Sequence, residues 1–158
     1  MDHRSSINQL LATLGQTLGL DQLQLGPEDG CVLLFEGDLA LTIEFDASTE
    51  RLVLSIHVAK LPEGQNAELL QELLAANCFW LATGGATLGL QSNTASVLLT
   101  YASPVTELDD AQLEQLVENL LSMAQRWRER IEMFRPGLLP AAANAPDPAT
   151  PTAPPIYG

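Results

Sequence analysis

Apolar residues at Ile7, Leu10, Leu11, Leu14 and Leu18 recur at the spacing of one helical stripe. Ser6 followed by Gln9 has the form of a capping box, and Gly19 stands where such a helix stops, so the pattern predicts a first helix from about Ser6 to Leu18. After the turn-forming run Gly26-Pro27-Glu28-Asp29-Gly30 the period drops to two. Cys31 to Phe35 is a short apolar run. Leu39, Leu41, Ile43 and Phe45 then alternate with Ala40, Thr42 and Glu44, and Leu52, Leu54, Ile56 and Val58 alternate with Val53, Ser55 and His57. Three such segments, separated by Glu36-Gly37-Asp38 and Asp46-Ala47-Ser48-Thr49-Glu50, predict an antiparallel meander with one face for a core.

Helical spacing returns from Asn66 to Trp80, with Leu69, Leu70, Leu73, Leu74 and Ala76 apolar and Glu68, Gln71 and Glu72 polar. This second helix is apolar over more than a third of its circumference and is expected to end at Gly84-Gly85. Thr87 to Gln91 and Ser96 to Tyr101 predict a hairpin around Ser92-Asn93-Thr94. In the last helix Asp109 is the N-cap with Gln112 at N3, and Leu108 and Leu113 are placed as a hydrophobic staple. Its stripe runs through Leu113, Leu116, Val117, Leu120, Ala124, Trp127, Ile131 and Phe134 to Arg135-Pro136. The whole reads as an α+β domain over residues 1–135, in the order α-β-β-β-α-β-β-α. From Pro136 to residue 158 the chain holds seven of its ten prolines and one charge, Asp147, a composition that reads as a disordered tail.

Composition sharpens this picture. Apolar residues make up 46% of the chain but aromatic ones only 5%, so the core must be aliphatic. The net charge is −13, and residues 1–125 carry seventeen acids against Arg4, Arg51 and Lys60. A body this negative repels phosphate backbones and anionic lipid, so neither nucleic acid nor membrane insertion is expected. No run of apolar residues has the form of a secretory signal or a membrane span, which points to the cytoplasm. Cys31 and Cys78 lie far apart and read as buried apolar residues. Arg126, Arg128, Arg130 and Arg135 crowd the end of the last helix, where they complement its dipole. His3 and His57 lack partners for a metal site, no nucleophile elbow or phosphate loop is present, and no cofactor is called for. Glu36, Asp38, Glu44, Asp46 and Glu50 read as a solvated acidic face rather than catalytic carboxylates. The chain therefore reads as a non-enzyme.

One sequence block carries a resemblance. It comprises Leu73-Leu74-Ala75-Ala76-Asn77, Thr83-Gly84-Gly85-Ala86-Thr87-Leu88-Gly89-Leu90, the apolar strand Val97 to Tyr101, and Leu108-Asp109 opening a helix that contains Trp127-Arg128. With the order of elements, this resembles the Tir chaperone family, the class I chaperones of type III secretion in Gram-negative bacteria, over residues 5–134. The resemblance implies a cytoplasmic homodimer that binds the N-terminal region of a secreted effector and keeps it extended for secretion. The Pro/Ala-rich tail and the aromatic pair Phe79-Trp80 depart from the family pattern.

The same resemblance suggests where partners bind. Leu69, Leu70 and Leu73 of the second helix, with Leu88, Leu90 and Leu98 of the following strands, are the expected dimer contact. Leu11, Leu14, Leu18 and Leu20, with Leu33, Phe35, Leu41 and Ile43, are the expected effector-binding patch. Asn77 and Trp127 are expected to be structural. Two alternatives stay open at this point: an adaptor of the same fold that sequesters a regulator of secretion genes, and a small-ligand-binding or hydrolytic α+β domain, which requires a pocket of converging polar groups.

Overall fold

The computed structural model describes residues 2–137, so the tail from Leu138 onward lies outside the described residues. The elements are α1 (His3–Leu18), β1 (Gly30–Phe35), β2 (Leu39–Asp46), β3 (Arg51–Lys60), α2 (Ala67–Ala76), β4 (Thr87–Gln91), β5 (Ser96–Pro104) and α3 (Asp110–Glu132). The strands form one antiparallel sheet in the order β1-β2-β3-β5-β4, so β1 and β4 are its edges. This is the predicted α+β order.

Local chemistry explains the helix ends. The first helix starts three residues earlier than the Ser6-Gln9 pattern implied, because the Asp2 carboxylate accepts from the Ser5 N–H at 2.7 Å. That bond holds the Asp2 carboxyl below its ordinary range. Gly19 closes the helix in the left-handed region at φ 69°, a conformation that glycine adopts without a side-chain penalty. At α3 the expected capping box is present: Asp109 accepts from the Gln112 N–H at 2.8 Å, and the Gln112 side chain accepts from the Asp109 N–H at 2.9 Å.

The second helix is shorter than its apolar spacing predicts. It stops at Ala76, and a short 3₁₀ turn follows at Cys78–Trp80, with Phe79 and Trp80 at φ 55° and 53°. An aromatic residue in this left-handed region costs about 1–2 kcal/mol, so surrounding bonds must hold it there. The Trp80 carbonyl accepts from the Thr83 and Gly85 N–H groups, and the Trp80 indole donates to Thr83's near neighbour in sequence, Thr87, at 3.3 Å.

One aliphatic core joins the inward faces of the sheet to the helices. Ile7, Leu11 and Leu14 of α1, Leu33 of β1, Leu41 and Ile43 of β2, and Leu69 and Leu73 of α2 are all buried in it. α3 crosses the sheet at β3, and Arg128 anchors it there. The register slips between His57 and Ala59, a bulge that leaves Val58 without a ladder partner on β5. Arg128 Nε donates to the freed Val58 carbonyl at 2.7 Å, while its Nη atoms reach the carbonyls of His57, Gly37 and Asp38. Arg130 makes a two-pronged bond to Glu72 of α2, both arms at 2.6 Å. Two of the four clustered arginines thus bind across the fold, a role beyond the solvated dipole complement that spacing suggested.

Candidate polypeptide-binding site

A sheet edge binds a new strand only where its N–H and C=O groups are unoccupied. The two edges here differ. At β4 the Asn77 amide lies against the strand: its Nδ2 donates to the Leu88 carbonyl at 2.8 Å, and its Oδ1 accepts from the Leu88 N–H at 2.8 Å. Asn77 thus replaces a neighbouring strand for one residue pair and closes this edge at Leu88, the second residue of β4. The position immediately after α2 makes this possible, because the helix delivers its C-terminus beside β4.

At β1 no side chain among the described residues takes that part, and the outward group already in use is the Gly30 carbonyl, which accepts from the Gly26 N–H at 2.8 Å. Phe45 N–H donates to the Asp29 carbonyl at 2.8 Å, next to the Gly30–Glu44 pair of the register. Bonded and non-bonded pairs alternate in an antiparallel ladder, so Cys31, Leu33 and Phe35 bond inward to β2. Gly30, Val32 and Leu34 consequently turn their backbone groups outward; the Gly30 carbonyl is taken by Gly26, and those of Val32 and Leu34 stay open to a partner. The Val32 and Leu34 side chains lie on the sheet face away from the core, where they are 59% and 82% exposed. On the core side of the same edge, Cys31 and Phe35 are half-buried. Partial burial pushes the Cys31 thiol up, so it stays protonated and presents an apolar surface.

The residues expected to bind an effector divide on this geometry. Leu11, Leu14, Leu33, Leu41 and Ile43 are core residues, sealed by the helices that pack over the sheet, and none offers surface to a partner. Leu18 and Leu20, at the end of α1 and just beyond it, are exposed, and Phe35 is half-buried. Val32 and Leu34 were missed. They belong to an apolar run without alternation, and such a run does not tell which of its residues face outward.

A second exposed apolar surface surrounds α2. Leu69, Leu73 and Ala76 share the inward stripe and are buried, as is Leu88, so these leucines cannot form the dimer contact expected of them. The adjacent stripe faces out: Leu74 is 69% exposed, and Leu70 is partly covered. The 3₁₀ turn adds Phe79, Trp80 and Leu81, of which Phe79 and Leu81 are 85% and 86% exposed, and Leu90 of β4 is also exposed. Leu98 is half-buried on the outer sheet face. Cys78 is exposed within this surface and Cys31 only half-buried, whereas spacing suggested that both were core. Trp127 donates to the Ala82 carbonyl at 3.1 Å and, like Asn77, serves the structure.

Buried polar side chains among the described residues are Thr83, Ser96 and Ser103, and none is left without a hydrogen-bond partner. The site is built from main-chain groups and apolar side chains, bordered by carboxylates. No helix among the described residues is long and apolar enough to cross a membrane.

Comparison with known proteins agrees with this architecture. The chain is 30% identical over 131 residues to the transcriptional anti-antiactivator ExsC of Pseudomonas aeruginosa, covering 81% of this chain and 87% of that protein. Its fold superimposes on a chain of the crystal structure of the ExsC–ExsE complex with a TM-score of 0.73 at 29% identity, covering 83% of this chain and 97% of the other. A chain of the HopA1–SchA chaperone–effector complex gives a TM-score of 0.69 at 25% identity, covering 82% and 98%. The model of the Tir chaperone protein (CesT) family matches residues 9–128, and the chain belongs to that family.

Proposed function

We propose that this protein is a cytoplasmic type III secretion chaperone that acts without catalysis. As a homodimer it takes the N-terminal region of a secreted effector as an added strand on β1 and keeps that region extended. The observation that carries this reading is the asymmetry of the sheet. One edge is plugged at Leu88 by Asn77, while the other presents Val32 and Leu34 with unoccupied backbone groups and exposed side chains. Main-chain bonding of this kind supplies affinity with little demand on the partner's sequence, which suits a holder of extended chain. The surface of Leu74, Phe79, Leu81 and Leu90 supports the pairing of two copies.

Co-expression with the N-terminal segment of an effector encoded nearby tests this reading. A complex of fixed stoichiometry is expected by size-exclusion chromatography with light scattering. Val32→Pro deletes one outward N–H at an edge position where proline is tolerated, and is expected to weaken capture at least tenfold with the circular dichroism spectrum unchanged. Undiminished capture by this variant refutes strand addition at β1. The similarity to a transcriptional anti-antiactivator favours a second reading, in which the captured polypeptide controls secretion genes. Mass spectrometry of the protein co-purified from the native host decides between them.

A further inference from the structure

Both ends of the β1 edge are acidic, and among the described residues most of these acids lack a cationic partner. Among the described residues the ion pairs are His3–Glu50, Arg4–Asp29 and Arg130–Glu72, so Glu28, Glu36, Asp38 and Glu44 have no cation within 4 Å. Glu28 precedes the strand, and Glu44 sits opposite Gly30 in the register. A side chain at Gly30 would lie 3.5 Å from Glu44 Cγ, so the bare glycine leaves the Glu44 carboxylate open toward the edge. Glu36 and Asp38 form the turn at the far end. Of the two positive groups near that turn, Arg128 spends its donors on four backbone carbonyls and is flanked by Glu129 and Glu132, and Lys60 lines the same cleft without an ion pair within 4 Å among the described residues. Between these acidic ends the edge is apolar on both faces, through Val32 and Leu34 outside and Cys31 and Phe35 inside.

We infer that the segment taken at this edge is a short, nearly uninterrupted apolar strand with a lysine or arginine at each end. This rests on the reading that β1 receives a partner strand, and it specifies the chemistry of that strand. The six residues of β1 span about 20 Å, which matches an apolar stretch of four to six residues. Because carboxylates stand at both ends, a partner running in either direction meets a complementary charge. Like charges in the flanks are disfavoured, which separates clients of this chain from apolar strands with acidic borders.

Synthetic peptides test the inference with the full-length chain. One has five central residues drawn from Val, Ile and Leu with two lysines on each side; the second replaces the lysines with glutamates; the third keeps the lysines and places proline at its centre. Fluorescence anisotropy at low salt is expected to show the lysine peptide binding about tenfold tighter than the glutamate peptide, from several weak exposed pairs acting together. The gap is expected to shrink at high salt, and the proline peptide to bind at least tenfold more weakly than its parent. The double variant Glu36→Gln/Glu44→Gln is expected to lose most of the lysine preference, while Glu63→Gln/Glu118→Gln, on other elements, keeps it. If both double variants reduce the preference equally, the attraction belongs to the net charge of the whole chain and the inference fails. Equal binding of lysine and glutamate peptides, with the proline peptide still weak, overturns the charge rule and leaves strand capture standing. Indifference to the central proline overturns strand capture at β1 as well.

Discussion

Asn77→Ala removes the side chain that closes the β4 edge, and its cost follows from the geometry. Two hydrogen bonds of 2.8 Å to the Leu88 N–H and carbonyl are lost. Each is worth about 0.5–1.5 kcal/mol net in a folded protein. Leu88 is an edge residue, so water can replace the amide once it is gone, and the lower half of the range applies. The expected loss is about 1–2 kcal/mol, a fall in melting temperature of roughly 3–6 °C for a domain of this size. Urea denaturation at fixed protein concentration measures the global effect and amide exchange measures the local one. The Leu88 N–H, protected in the parent, is expected to exchange faster in the variant, while core amides such as that of Ile56 change only in proportion to the global loss. An unchanged exchange rate at Leu88 refutes the assignment of Asn77 as an edge plug, whatever the change in stability.

Arg128→Met keeps the aliphatic stem but strands the carbonyls at the β3 bulge, and is expected to cost about 2–3 kcal/mol by denaturant titration; a loss under about 0.5 kcal/mol would show the guanidinium to be dispensable. Leu74→Asp places a charge on the exposed stripe of α2 and is expected to convert a dimer to a folded monomer in sedimentation, whereas Leu73→Asp buries that charge and is expected to unfold the chain. A folded Leu73→Asp dimer contradicts this division of the two leucines. Bonds from the Ser48 hydroxyl, then the Thr49 hydroxyl and the Ser48 N–H, pull the Asp46 carboxyl from 3.8 down to about 2. Its folded value lies below its unfolded one, so its contribution to stability is present above about pH 4 and disappears as pH falls through 2. Carboxyl NMR is expected to place the Asp46 midpoint near 2, and a midpoint near 4 would remove these bonds from the account.

Where a local rule is sufficient, the residues themselves specify the element. Period-two alternation in residues 39–58 located β2 and β3, because each strand has one buried and one open face. Asp109 and Gln112 announced the start of α3, because a cap involves residues only three apart. The family was legible for a similar reason: the block from Leu73 to Leu90 contains Asn77 and Leu88, which bond to each other across eleven positions.

The binding surfaces depended on the tertiary structure. Leu73 and Leu74 are neighbours of equal hydrophobicity, yet one is sealed in the core and the other faces out, because the sheet lies on only one side of α2. Leu33 and Leu34 divide in the same way across β1. Hydrophobic spacing says that a residue seeks cover, but it does not say whether the cover comes from its own chain. That depends on where the remaining elements pack, and on which backbone groups of an edge strand are left without a partner once they have.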